Sequence, residues 1–550
     1  MTQYFASRIK TISRKDCLSN LCGNWFIPFS AIFFLLTNIG LPAFKNLPVN
    51  SYYSFAPALL LITLAAAVCP PFSSVFARTS VKLKIISLAD AVGICYCTWN
   101  VLKEKPYIFG GDTLLLRVIF MVLAIPFAFA VCLIFWERLV KILKDVISKT
   151  GADRTELFVY ALLAVVFFAF ATFCFLSSSA FYGEDYNVDI IYTSDSHKLL
   201  VNNAFIVFDH IENDFRQPLF GLFSAPFAGI PCLIGSVIPV IPMALFLDYA
   251  QILLILTGMF IISSDLELNK IQRIFFMLIG SSAFTALVFS VMLEQYATAF
   301  FWLVLTLHLM VNKKKEAVAA SYAASGALLV SGALVPFILK PEKIGKSTIL
   351  SWIKDMVLYG VDFCLLIIMA GRFHLIWNGF EILTHLMKFT GKSVGFKDRI
   401  LQYINFAGGC FLAPESLAVQ MEGGYNGWQL AEVTSVNWFG IVILALALAG
   451  FFVTRKSIMS KAAFGWMLLS VAVLVIAGWG ISENGLFLYS LYFGWPFLIL
   501  IFNLIKAVGD KLKIKLFVPV ASAALCVFML VYNIPALIKI IEFAVREFPV

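Results

Sequence analysis

The chain has 550 residues, of which 61% are hydrophobic and only 13% are charged. Since an average soluble domain is roughly a quarter charged, this composition excludes a soluble globular domain. The net charge of +9 does not indicate nucleic-acid binding, because the Lys and Arg residues lie in short clusters beside apolar runs, where basic residues set membrane topology.

The apolar runs predict an all-α, polytopic integral membrane protein. Each run is about 20 residues long, which matches the roughly 30 Å hydrocarbon core of a bilayer. A transmembrane β-barrel is excluded, since its spans would be about 10 residues of alternating polarity. We predict about 13 transmembrane helices, within a range of about 12 to 14. The predicted spans are 24–43, 53–73, 84–102, 114–136, 157–178, one or two within 218–263, 274–292, 296–311, 317–338, 437–453, 463–480, 485–507 and 516–535.

The spans and loops predict five segments in chain order. These are an N-terminal five-helix membrane segment (1–178), an acidic loop with an interfacial helix (179–217), central membrane helices (218–344), a second polar loop region (345–436), and a C-terminal four-helix membrane segment (437–550). The basic clusters predict that the N-terminus is cytoplasmic and that both polar loops are extracytoplasmic.

Two stretches allow two interpretations. Residues 218–263 contain five prolines, which break helical hydrogen bonding. They fit either a re-entrant piece followed by one span or two short spans, and we prefer the first because it keeps Lys270 and Arg273 cytoplasmic. Residues 346–371 fit an interfacial helix or a span.

The acidic loop 179–217 contains the strongest candidates for catalysis. It holds seven of the 32 acidic residues of the chain, and Asp185, Asp189 and Asp195 are the candidate catalytic residues. A carboxylate can act as a general base on a hydroxyl or as an oxygen ligand for Mg²⁺ or Mn²⁺. The alternative is that these acids cap helices or are solvated loop charges. Apolar residues at helical spacing predict an amphipathic interfacial helix over 195–211, with Ser194 or Asp195 as its N-cap.

Arg216 lies where this loop runs into the membrane. A guanidinium at that depth can bind a phosphate bidentately, with neighbouring aromatic residues covering the lipid side. The alternative is an interfacial arginine that only extends its charge to the headgroups.

Two further places are candidate substrate-binding sites. Glu422, Tyr425 and Trp428 belong to a glycine–aromatic–polar patch that extends from Glu415 to Glu432 and fits a saccharide surface. Glu483 lies at the predicted outer mouth of a span, where an acid is costly unless it is used or paired. An ordinary loop and a solvated turn are the respective alternatives.

The chain resembles the C-type membrane glycosyltransferases (GT-C). The features that carry the resemblance are the acidic outer loop with its interfacial helix, the element Thr193-Ser194-Asp195-Ser196, and the entry into the next span at Gln217-Pro218-Leu219-Phe220-Gly221. The resemblance implies transfer of a sugar from a polyprenyl-phosphate donor to a glycan, lipid or protein acceptor at the outer face of a bacterial plasma membrane.

The resemblance also implies roles for individual residues. Asp195, Asp185 or Asp189 would be the base or a metal ligand, and Arg216, Lys198 and His197 would bind the donor phosphate. The chain lacks a strict Asp-x-Asp element, so Mg²⁺ or Mn²⁺ remains an optional cofactor.

Three other functions fit a polytopic chain. A flippase or polymerase of lipid-linked saccharides would place charges within the spans, where Asp90, Asp248, Asp265 and Asp362 are the exceptions to a nearly charge-free pattern. A secondary transporter would show inverted repeats and broken helices. A non-catalytic scaffold would tolerate the loss of its loop carboxylates.

Overall fold

The computed structural model describes residues 7, 12–24, 60–104, 114–182, 190–201, 204–206, 215–238, 241–341, 346–370, 372–387, 390–391, 394–421, 424–481 and 485–550. The α-helices of these ranges are, in chain order, α1 (Arg14–Gly23), α2 (Leu60–Val68), α3 (Phe72–Arg78), α4 (Val81–Glu104), α5 (Leu114–Thr150), α6 (Arg154–Ser177), α7 (Ser196–Val201), α8 (Phe220–Val237), α9 (Met243–Asp265), α10 (Lys270–Ser282), α11 (Phe284–Val288), α12 (Gln295–Val311), α13 (Glu316–Ala327), α14 (Val335–Ile338), α15 (Lys346–Met369), α16 (Phe373–Trp377), α17 (Gly379–Leu386), α18 (Phe396–Gly409), α19 (Trp438–Thr454), α20 (Ile458–Ser470), α21 (Ser490–Leu512) and α22 (Phe517–Glu547).

Shorter elements complete the described ranges. Turns of 3-10 helix cover Ser179–Phe181, Leu329–Leu334 and Gly485–Tyr489, and a π-helical turn extends α20 over Val471–Ile476. The strands β1 (Ser416–Gln420) and β2 (Asn426–Leu430) form an antiparallel hairpin in which Ser416 pairs with Leu430. The fold is therefore all-α, as predicted, with one small hairpin added.

Several of these helices are compatible with a membrane protein. In the described ranges, six segments are long and apolar enough to cross a bilayer, namely α6, α8, α9, Ile458–Ile476, Leu486–Leu512 and α22. A seventh is possible if α2 and α3, which meet at a bend of 61°, count as one span. The count of about 13 spans stays a prediction.

The described chain divides into two compact units. The first unit contains the described parts of 1–145, 202–239 and 318–383, and the second contains those of 146–201, 240–317 and 384–550. Each unit thus draws on three separate stretches of the chain. The five predicted segments follow sequence order and stay a prediction.

In the first unit, a buried acid joins α4 to α8. The Oδ1 atom of Asp90 accepts a hydrogen bond of 3.0 Å from the backbone N–H of Ile230, within a helix that contains Pro226 and Pro231. The Oδ2 atom of Asp90 accepts a hydrogen bond of 2.8 Å from Nε1 of Trp136 on α5. The Asp90 carboxylate therefore accepts from a backbone N–H of α8, in a stretch where prolines interrupt the hydrogen bonding within that helix.

In the second unit, α9 and α21 lie inside and α6 and α22 lie outside. In the most apolar window of both α9 and α21, 72% of the residues are buried, against 22% in α6 and 28% in α22. A buried ion pair joins α6 to α10, because Nε and Nη2 of Arg273 donate to the two carboxylate oxygens of Glu156 at 2.6 and 2.8 Å. The outer helices therefore present apolar side chains away from the protein, as lipid contact requires.

One predicted element differs in the structure. The predicted helix 195–211 is shorter: α7 covers Ser196–Val201, and residues 204–206 form a turn. The physical reason is that Phe205 is buried, its ring 5.5 Å from that of Phe220, while its carbonyl accepts a hydrogen bond of 2.6 Å from Oγ of Ser224. Residues 207–211 lie outside the described ranges.

The proline-rich stretch 218–263 contains two helices, α8 and α9, each long and apolar enough to cross a membrane. Which parts of this stretch cross the membrane stays a prediction. Pro242 is the N-cap of α9, where a missing N–H donor costs least. Residues 346–369, which allowed two interpretations, form the single helix α15.

Candidate active site

A strained turn in the second unit leads to Asp195. Tyr192 and Thr193 have φ angles of 52° and 55°, and the N–H of Ser194 closes the turn on the carbonyl of Ile191 at 3.1 Å. Left-handed φ is uncommon for any residue but glycine and is a genuine outlier for a β-branched one such as Thr193. Residues in such conformations cost about 1–3 kcal/mol each, and they persist only where the surroundings hold them.

The hairpin and an aromatic cluster hold this turn in place. The N–H of Tyr192 donates to the carbonyl of Trp428 at 2.8 Å, and its hydroxyl lies 3.0 Å from Oγ of Ser416. The ring of Tyr192 is 2% exposed and packs against Phe487, with 4.8 Å between ring centroids. Burial raises the pKa of Tyr192 to about 12, so the phenol stays a neutral hydrogen-bonding group at physiological pH.

Asp195 follows the turn and is tied through its main chain to Glu294. The N–H of Asp195 donates to Oε1 of Glu294 at 2.6 Å, and Oγ of Ser196 donates to the carbonyl of Leu293 at 2.9 Å. At the carboxylate itself, Nε2 of Gln295 lies a long 3.5 Å from Oδ2 of Asp195. The Asp195 side chain is half-buried, so its carboxylate stays within reach of an incoming group.

Glu294 is the first of three polar residues that are connected by hydrogen bonds and lead through Gln251 to Asp248. Its side chain is fully buried, and its N–H donates to Oε1 of Gln251 at 2.9 Å. The amide of Gln251 donates to the carbonyls of Phe289 and Met292 at 2.7 and 2.8 Å, and it lies 3.4 Å from Oδ1 of Asp248. Oδ2 of Asp248 is buried without a hydrogen-bond partner among the described residues. Buried acids of this kind are expensive to maintain and are typical of functional positions.

Two predicted substrate residues pack against the last helix. The ring of Trp428 lies 5.3 Å from that of Phe543, and the ring of Tyr425 lies 6.0 Å from that of Phe548. Both rings therefore dock the hairpin onto the end of α22. Their role in substrate binding stays a prediction.

The remaining predicted site residues are only partly described. Asp185, Asp189, Glu422 and Glu483 lie outside the described residues, as do the side chains of His197 and Lys198. Arg216 belongs to the first unit, where its carbonyl accepts a hydrogen bond of 2.7 Å from the N–H of Leu329. The structure thus brings Asp195 together with Glu294 and Gln295, two residues that were not predicted as site residues.

A metal site is not assembled by the described residues. None of the His, Cys, Asp and Glu side chains in that part of the chain form a group of three or more that is placed to hold an ion. Asp195 is the one predicted metal ligand that is described, and we assign no chemical step to Mg²⁺ or Mn²⁺.

One sequence signal points to the residues that were missed. Glu294 and Gln295 are the polar pair between the predicted spans 274–292 and 296–311. These two residues place a carboxylate and an amide in a tight turn on the same predicted side of the membrane as Asp195. This pattern indicates a candidate site. Gln251 and Asp248 lie three apart in one predicted span, and this spacing places them on one helix face.

Comparisons of the chain with protein-family models, with curated proteins and with solved structures find no match.

Proposed function

We propose that this protein is a membrane glycosyltransferase of the GT-C type. It transfers a sugar from a polyprenyl-phosphate donor to a cell-surface glycan, lipid or protein acceptor at the extracytoplasmic face of a bacterial plasma membrane. Asp195 is the general base of this reaction.

The observation that carries the proposal is the arrangement around Asp195. Two left-handed residues precede it, a buried carboxylate binds its main chain, and its own carboxylate is half-buried. Backbone strain of this kind persists only where many contacts impose it, and such positions cluster at active sites. Because Asp195 is held through its main-chain N–H, its side-chain carboxylate stays available for a substrate hydroxyl.

The reaction follows from the chemistry of the donor. Asp195 accepts the proton of the acceptor hydroxyl as its oxygen bonds to the anomeric carbon of the sugar. The bond between that carbon and the phosphate oxygen breaks, and the polyprenyl phosphate leaves with the electron pair. Arg216, Lys198 and His197 are the cations assigned to the leaving phosphate, where positive charge stabilises the transition state.

The other predicted site residues keep their proposed roles. Asp185 and Asp189 are alternative bases or, with Asp195, ligands of an optional Mg²⁺ or Mn²⁺. Glu483, Glu422, Tyr425 and Trp428 are assigned to the saccharide.

The direct test reconstitutes the protein in phospholipid vesicles with a panel of polyprenyl-phosphate hexoses and pentoses. Bacterial membrane extract supplies the acceptor, and mass spectrometry measures the release of polyprenyl phosphate. We expect release of polyprenyl phosphate from one member of the panel, and no release of nucleoside diphosphate from the matching nucleotide sugars. Absence of release from every donor would contradict the proposal.

A transporter or flippase of lipid-linked saccharides is the second candidate. The observation that favours it is the buried chain from Glu294 through Gln251 to Asp248, because acids buried among membrane helices are typical of translocation pathways. Asp248→Asn separates the two functions. It would abolish the movement of a fluorescent lipid-linked saccharide across vesicles if the protein were a transporter, whereas a transferase would retain sugar transfer.

A further inference from the structure

The second unit contains an open cleft between α18 and the strand end that follows β2. It holds about 670 Å³ of empty space, including the part open to solvent. Its polar lining consists of Gln402, Asn405, Glu415, Glu432, Thr434 and Ser435.

Helical spacing places one wall of this cleft. Gln402, Asn405 and Phe406 are separated by three and four positions on α18 and therefore share one face. The hydrogen bond from the N–H of Ala431 to the carbonyl of Glu415, 3.0 Å long, continues the hairpin pairing into the opposite wall. Nδ2 of Asn405 donates to the carbonyl of Leu401 at 3.0 Å and reaches across to the carbonyl of Ser435 at 3.5 Å, so Oδ1 is the atom of this amide that can serve a ligand.

The cleft adjoins the turn that carries Asp195. Phe487 contributes to its lining, and the ring of Phe487 also packs against Tyr192. The hydroxyl of Tyr192 also lies 3.0 Å from Oγ of Ser416, the residue after Glu415. A ligand in the cleft is therefore separated from the strained turn by one layer of side chains.

The lining chemistry selects a neutral, hydroxyl-rich ligand. The carboxylates of Glu415 and Glu432 are exposed acceptors, the Gln402 amide both donates and accepts, Oδ1 of Asn405 accepts, and Thr434 and Ser435 add hydroxyl groups. Phe406, Pro414 and Phe487 supply apolar surface for the C–H face of a ring. An anion would meet two negative charges here, whereas a sugar finds partners for both its hydroxyl groups and its C–H groups.

The position of the cleft fits a sugar that is attached to a lipid. It ends at Ser435, and the apolar helix α19 begins three residues later at Trp438, whose side chain is 77% exposed. Tryptophan is enriched where helices leave the bilayer, so the exposed Trp438 beside the cleft fits a position near the headgroups.

Resting on the proposed function, we infer that this cleft binds the saccharide part of the acceptor. The sugar can belong to a free glycan or to a glycolipid, and the two sources present the same hydroxyl groups to Gln402, Asn405, Glu415 and Glu432. The acceptor subsite therefore consists of residues other than those assigned to the donor phosphate.

The test measures hydrogen–deuterium exchange of residues 430–436 in phospholipid nanodiscs, without donor. The probes are maltose, lactose and chitobiose as free sugars, dodecyl maltoside as a lipid-linked sugar, and dodecylphosphocholine as a control for the alkyl chain. We expect at least one sugar probe to slow exchange in this segment and dodecylphosphocholine to have no effect. Protection by dodecyl maltoside but not by maltose would identify a glycolipid as the source.

Variants locate the binding. Glu432→Gln replaces one carboxylate acceptor by an NH2 donor and removes the charge, and Asn405→Ala removes the amide, so the Kd of the active probe should rise by about tenfold. The exposed Glu316→Gln is the control and should leave the Kd unchanged. Equal Kd values in all variants, or no protection by any sugar probe, would overturn the acceptor subsite.

Failure of this inference and failure of the proposed function are distinguishable. Protection without release of polyprenyl phosphate would retain the cleft as a saccharide site and reject the transferase. Release without protection would retain the transferase and reject the cleft.

Discussion

The backbone N–H of Asp195 donates a hydrogen bond to Oε1 of Glu294, with 2.6 Å between nitrogen and oxygen. The two residues are 99 positions apart in the chain. Because the acceptor is a buried carboxylate, this contact belongs to the strong class of hydrogen bonds to charged groups. Glu294 thereby fixes the position of the Asp195 main chain. The contact does not use the Asp195 carboxylate, which stays available to a substrate.

Replacement of Glu294 tests this positioning role. Glu294→Ala leaves the N–H of Asp195 without its acceptor, and such a loss costs about 1–3 kcal/mol. Glu294→Gln retains a carbonyl oxygen, so it should unfold at nearly the wild-type temperature and keep most of the transfer activity. Thermal unfolding in nanodiscs and the release of polyprenyl phosphate measure the two effects. Identical behaviour of the two variants would contradict the positioning role.

The strain in the turn predicts that a variant without it is more stable and less active. Thr193→Gly removes the clash of a β-branched side chain at a φ of 55°. We therefore expect the free energy of unfolding to rise by up to about 1 kcal/mol, and the melting temperature to rise with it. Transfer should slow by roughly tenfold, because a small displacement of a catalytic group is costly.

The control for this variant is Lys313→Gly. Lys313 has a φ of 52° and follows α12, a position where glycine is favoured. It should raise the melting temperature without changing transfer. Unchanged transfer in Thr193→Gly would show that strain in the turn has no part in catalysis.

The buried pair of Glu156 and Arg273 predicts a large effect on stability. Their side chains are 4% and 9% exposed, and Arg273→Met leaves a carboxylate buried without its partner, at a cost of about 3–5 kcal/mol. The double variant Glu156→Met/Arg273→Met removes both charges and should regain most of the lost stability. Melting temperatures in nanodiscs provide the comparison, and a double variant as unstable as the single one would contradict this account of the pair.

Arg216 is assigned to the donor phosphate, so Arg216→Ala should weaken donor binding. Loss of a bidentate hydrogen bond to a charged group corresponds to at least about a tenfold rise in Kd. Titration with a non-transferable polyprenyl-phosphate analogue in nanodiscs measures the Kd, and the exposed Arg455→Ala is the matched control. Equal affinity in the two variants would exclude the phosphate role.

The sequence predicts helices well where apolar length and capping agree. The predicted span 157–178 corresponds to α6, which begins at Arg154 because Asp153 caps it by accepting from the N–H groups of Thr155 and Glu156. The predicted span 437–453 likewise matches α19, for which Asn437 is the N-cap. In both cases the determining contacts are local, within one helical turn.

Long-range pairing could not be predicted in this way. The hairpin lies in a polar stretch that has no strand-like alternation of any length, and its pairing depends on contact with Ile190 and Tyr192 more than 200 positions earlier. Composition shows that Tyr425 and Trp428 are aromatic residues beside glycines, but the packing partners of their rings, Phe548 and Phe543, are more than 100 positions away. The link between Asp195 and Glu294 is of the same kind.

The most direct test compares Asp195→Asn with the exposed control Asp510→Asn in the vesicle assay of polyprenyl phosphate release. Removal of a general base slows a reaction by about 10²–10⁴-fold, so Asp195→Asn should lose nearly all release at normal expression and normal melting temperature, and Asp510→Asn should retain it. Wild-type release by a well-folded Asp195→Asn protein would contradict the assignment on which the proposed reaction depends.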